Sequence, residues 1–156
     1  MRIKNIIAIA LSAVLLLTAC DDNNPNIEDV TVTPQEIYQN LVDLEFFDPP
    51  YMVDILEHRF DEYEIIPADY ESFVAKEAAI SAMFVQLIII EAKDGKVSTV
   101  REAMETHQSN LKDDVFYPQG IQAAAVSIVG NVGNLVYLIC DERSEELERE
   151  LLKFVA

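Results

Sequence analysis

Leu17-Thr18-Ala19-Cys20 sets a cysteine behind two small residues at the end of an apolar run, the lipobox pattern at which bacteria attach a diacylglycerol to the thiol and cleave before it. Ahead of it, Arg2 and Lys4 precede the apolar stretch from Ile6 to Leu17, a charged region and a hydrophobic region too short to span a bilayer and stay there. Residues 1–19 are therefore expected to be a lipoprotein signal peptide, and Cys20 the lipidated mature N-terminus. The domain that follows would be held to the outer face of the cell membrane. A short transmembrane anchor, or an ordinary cleaved signal with an incidental cysteine, is the alternative reading.

The other residue types capable of chemistry are sparse. His58 and His107 are the only histidines, without a His-x-x-x-His or Glu-x-x-His partner, so a zinc site would need further ligands supplied by the fold. His107 falls on an apolar stripe and reads as a partly buried core residue whose ring nitrogen bonds locally; His58, between Glu57 and Arg59, reads as solvated. No Gly-x-Ser-x-Gly elbow positions a serine nucleophile, and the four glycines form neither a phosphate loop nor a dinucleotide fingerprint. Cys140, in the apolar run Leu135 to Cys140, suits a small buried hydrophobe, and with Cys20 lipidated it has no disulfide partner. Asp113-Asp114 and Glu145-Glu146 are the adjacent carboxylates singled out, the second pair explained by a helix macrodipole. Tyr51, Phe60, Tyr63 and Tyr70 either line a groove for sugar or peptide or belong to the core. No catalytic, cofactor or metal residues are assigned, and the domain is expected to fold without metal.

Charge narrows the partners. Residues 1–19 hold two of the 11 Lys+Arg and none of the 28 Asp+Glu, which leaves the mature chain at −19. Such a surface repels nucleic acid and anionic headgroups and leaves cationic partners, divalent ions or plain solubility as its uses. Residues 20–32 are polar and turn-rich, an acidic tether with neither the glycine nor the terminal glutamate of a calcium loop. Residues 33–156 are long enough for one core and too short for two.

Those residues must be positioned by the elements of that single domain. Thr33-Pro34-Gln35-Glu36 is a capping box with proline at the first helical position, opening a helix to about Phe46. The spacing of Asp54 and Glu57 predicts a second, shorter helix to Tyr63. Strands are expected over Tyr70 to Glu77 and Ser81 to Glu91, the latter apolar on both faces and so central. After the Lys93-Asp94-Gly95-Lys96 turn, Val97, Val100, Met104, His107 and Leu111 stripe a helix to about Lys112. Asp113 to Gln122 reads as irregular, broken by Pro118 and Gly120. Two strands follow, Ala124 to Val129 and Leu135 to Cys140, joined by hairpin chemistry from Gly130 to Asn134. Ser144 then caps a last helix carrying Leu147, Leu151, Phe154 and Val155. The expectation is an α+β domain: a mostly antiparallel four-stranded sheet from two ββα units with helices packed on it, preceded by two N-terminal helices.

The phrase Ile90-Glu91-Ala92-Lys93-Asp94-Gly95-Lys96-Val97, the later Tyr117-Pro118 before a hairpin, and the lipobox together resemble a lipoprotein family of Firmicutes, domain of unknown function 4358, over about Gln35 to Val155. The resemblance implies a Gram-positive surface lipoprotein and brings no functional residues with it. Two functions stay open: a tethered, non-catalytic binding or assembly module, and a cell-envelope hydrolase using carboxylates, which requires two acids with separated pKa values in one pocket.

Overall fold

The computed structural model describes residues 32–155 apart from 48, 50 and 81–83. The lipobox, Cys20, the signal segment and nearly all of the tether lie outside the described residues, as do the first residues expected in the central strand. In chain order the elements are α1 (Pro34–Val42), β1 (Met52–Asp54), a 3-10 helix (Glu57–Tyr63), β2 (Tyr70–Ala78), β3 (Gln86–Ala92), α2 (Val97–Asp114), α3 (Pro118–Ala125), β4 (Ile128–Val132), β5 (Leu135–Cys140) and α4 (Ser144–Val155). The strands form one sheet in the order β1-β2-β3-β5-β4, and every neighbouring pair is antiparallel. The α+β class holds, with five strands instead of four.

β3 is the middle strand, and its alternation sends side chains into two separate cores. Leu87 and Ile89 meet Ile37 and Leu41 of α1 and Leu147, Leu151 and Val155 of α4 on one face. Ile88 and Ile90 meet Val100, Met104 and Leu111 of α2, Ala123 and Ala124 of α3 and Phe60 of the 3-10 helix on the other. A strand covered on both faces must be apolar at consecutive positions, which is why Leu87-Ile88-Ile89-Ile90 does not alternate with polar residues. No helix among the described residues is long and apolar enough to cross a membrane.

The capping box forms: Glu36 N donates to Thr33 Oγ1 at 3.3 Å, and Thr33 N donates to Glu36 Oε2 at 2.9 Å. α1 ends at Val42, short of Phe46, because the chain turns to bury Phe47 beside α1. The expected helix Asp54–Tyr63 is replaced by β1 and the 3-10 helix. Asp54 caps nothing; its carboxylate pairs instead with Lys76 of β2 at 2.5 Å. A 3-10 helix sets residues i and i+3 on one side, which brings Phe60 and Tyr63 into the core together while Leu56 stays exposed.

The stretch read as irregular is mostly helix. α2 continues to Asp114, and Pro118 opens α3 at its first position instead of breaking it. Gly120 lies inside α3 because Phe84 packs there, and a Cβ added at Gly120 would be 3.0 Å from Phe84 Cβ. The fourth strand therefore starts at Ile128, four residues later than Ala124, and the turn shrinks to Gly133-Asn134, with Gly133 at φ 55°. Ser144 does not cap α4 in the expected way. Its hydroxyl turns back to the carbonyls of Ile139 and Asp141, and the Asp141 carboxylate accepts from Arg143 N.

Candidate functional site

A chain of polar side chains crosses the end of the sheet where β2 finishes and β3 begins. Arg59 of the 3-10 helix pairs with Glu77 of β2, Nη1 to Oε1 at 2.5 Å. Gln86, the first residue of β3 and the register partner of Glu77, places Nε2 3.4 Å from Glu77 Oε2. Its Oε1 lies 3.0 Å from His107 Nε2 of α2. A carboxylate only accepts, so the Gln86 amide faces Glu77, its carbonyl faces His107, and His107 donates through Nε2. The imidazole stacks on Tyr63, with ring centroids 3.8 Å apart and an interplanar angle of 32°.

Burial governs the electrostatics of this cluster. His107 is 7% exposed, and desolvation, helped by the Arg59 charge, lowers its pKa to about 4. The ring is neutral at physiological pH. Tyr63 is raised by burial, against the pull of Arg59, and its hydroxyl is the buried side-chain polar atom without a hydrogen-bond partner among the described residues. Cys140 lies opposite Gln86 in the β3–β5 register. Burial, with Asp141 adding to it, pushes its thiol up to about 12, so it is neutral and lacks the thiolate that nucleophilic attack needs.

One depression adjoins the cluster, and a second shares Phe84 with it. One, of about 270 Å³, is lined by Glu77 to Ile80 and Phe84 to Gln86. The other, of about 200 Å³, is formed by Phe84, Asp114, Val115, Phe116, Tyr117 and Gly120 at the α2–α3 corner. Each is lined by one carboxylate, Glu77 in the first and Asp114 in the second. Around them stand exposed apolar side chains: Phe116 at 85%, Tyr51 at 77%, and Ile80, Tyr117 and Ile121.

The residues singled out from the sequence separate. His107 is buried on α2, as its stripe implied, but its ring nitrogen bonds Gln86 on β3 and not a local partner as expected. His58 is exposed on the 3-10 helix. Phe60, Tyr63 and Tyr70 are core, joined by Phe73 in edge and tilted ring contacts, whereas Tyr51 is exposed. Asp113-Asp114 end α2, and Glu145-Glu146 occupy the first turn of α4. Among the described residues no three of His, Cys, Asp and Glu are grouped to hold a metal ion. Sequence reasoning missed Arg59, Glu77 and Gln86 as a unit. Gln86 was the available signal, a polar residue on an otherwise apolar strand face that had to find a partner once buried.

No curated protein and no solved structure matches the chain. The family model described as a domain of unknown function, DUF4358, matches residues 55–141. That span is narrower than the Gln35–Val155 resemblance, leaving out α1 and α4, yet it holds the whole of the Arg59–Glu77–Gln86–His107 chain and both depressions. Covering more than half of the 156 residues, the match places this chain in the family of domain of unknown function 4358.

Proposed function

We propose that the chain is a surface lipoprotein of Gram-positive bacteria, cleaved after residue 19 and diacylated at Cys20. Residues 20–32 then serve as a tether, and the domain is a non-catalytic binding or assembly module on the outer face of the cell membrane. The observation that carries the binding reading is the pair of exposed aromatics Phe116 and Tyr117 lining the depression at the α2–α3 corner, which shares Phe84 with the depression beside the polar cluster. Aromatics are enriched where proteins bind. The cluster behind them supports binding better than catalysis: Glu77 is engaged by Arg59, and His107 is a fixed donor with its pKa far below neutrality.

Two measurements test the reading. Cys20→Ser should abolish lipidation and cleavage; a variant processed at the same bond and still membrane-bound would defeat the anchor. Affinity capture of the lipidated protein from its own membranes should yield a partner that is released more readily in high salt, since exposed charges are screened within about 8 Å at physiological ionic strength. Turnover of peptidoglycan fragments or peptides, abolished by one Asp or Glu substitution that leaves the fold intact, would replace binding with the carboxylate-based hydrolase.

A further inference from the structure

Within the proposed binding role, on which this inference rests, we infer that the groove at the α2–α3 corner receives one apolar side chain from a protein segment flanked by lysine or arginine. Its volume of about 200 Å³ is of the right order for a single ring or branched aliphatic side chain, since an apolar cavity of about 150 Å³ accommodates benzene. Phe84 and Val115 form its apolar walls and Gly120 keeps it open, because any larger residue on α3 would press against Phe84. Phe116 and Tyr117 stand at its mouth, exposed.

Charge selects the occupant. Asp113 and Asp114 end α2, where the helix carbonyls already carry the negative end of the macrodipole. Acids there destabilise the helix instead of supporting it, and among the described residues neither carboxylate is in an ion pair. A cationic side chain beside the groove would relieve both the repulsion and the dipole. A second copy of this chain, itself strongly acidic, is disfavoured by the same field, as is an anionic lipid surface. The anchor does not force this end onto the bilayer either. The tether, residues 20–32, precedes α1 in the chain, and α1 packs on the sheet face opposite to α2 and α3.

The chain has no tryptophan, so Phe116→Trp provides a single fluorescent reporter in the full-length lipidated protein carried in nanodiscs. The probe is a short peptide with one phenylalanine between pairs of lysines. It should shift the emission to the blue saturably, and the affinity should fall at least tenfold in the Asp113→Asn/Asp114→Asn variant and in 0.5 M salt. A peptide with glutamates for the lysines, or glycine for the phenylalanine, should produce no saturable shift. Equal response to the glutamate peptide, no response to the lysine peptide, or a blue shift caused by the bilayer alone would each overturn the assignment, the last giving the surface to lipid. The broader reading fails separately. Capture of the same membrane partner by wild type and by Phe116→Ala would remove this groove and keep the binding module, whereas capture of none, together with substrate turnover, would remove the module itself.

Discussion

Burial and the Arg59 charge hold the His107 pKa at about 4, so folding is linked to its titration. The unfolded chain takes up a proton near pH 6.5 and the folded chain does not until about pH 4. His107 therefore contributes its full stabilisation above pH 6.5 and loses it progressively as the pH falls toward 4, by about 3 kcal/mol at most at 1.36 kcal/mol per unit. In His107→Gln the slope of stability against pH between 6.5 and 4, measured by urea melts, should flatten relative to wild type; an unchanged slope would show that the imidazole is protonated in the fold. Gly130 makes a second claim at this scale. It faces Tyr137 across the β4–β5 pair, and a Cβ there would lie 2.8 Å from Tyr137 Cε2, closer than side chains pack. The phenol cannot move aside freely, since it is buried and its hydroxyl donates to Glu148 at 2.8 Å. Gly130→Ala should cost about 1–3 kcal/mol, and less in a Tyr137→Leu background, so a double-mutant cycle without coupling would refute the contact.

At the scale of elements, the Thr33 box is the clearest case of local sequence deciding local structure. Thr33→Ala should lower stability by about 1 kcal/mol, read as a shift in denaturation midpoint with unchanged m value. α2 and α4 were readable for a related reason: each carries an apolar stripe at helical spacing that one face of the sheet receives, while β5 is an unbroken apolar run buried on both faces. Where local signals misled, a distant partner had taken the residue. Asp54 and Glu57 imitate a capping box, but Lys76 claims Asp54, and a three-residue edge strand forms where a helix turn was expected. Pro118 and Gly120 read as breakers when one is a helix opener and the other is demanded by Phe84. The site was half visible on the same terms. The burial of His107 follows from its stripe, while its link to Gln86, Glu77 and Arg59 depends on the β2–β3 register and on the packing of the 3-10 helix over α2, neither of which is written within a few residues of any of them.

For the molecule as a whole, the strand order β1-β2-β3-β5-β4 makes the sheet depend on its last third. β3 has β2 on one side, supplied by the chain just before it, and β5 on the other, with Gln86 opposite Cys140. Synthesis proceeds from the N-terminus, so Leu87-Ile88-Ile89-Ile90 leaves the ribosome about fifty residues before the strand that closes its open edge. During that interval the nascent chain carries an uncharged, β-prone segment with a bare row of backbone donors and acceptors, the kind of edge that recruits other chains. A chain ended at residue 127 should accumulate as aggregate even though α1, α2 and α3 are complete, and recovery of that truncation as a soluble folded monomer would disprove it. Until Cys140 is made, one edge of β3 has no partner strand, and that follows from the position of a single strand in the chain.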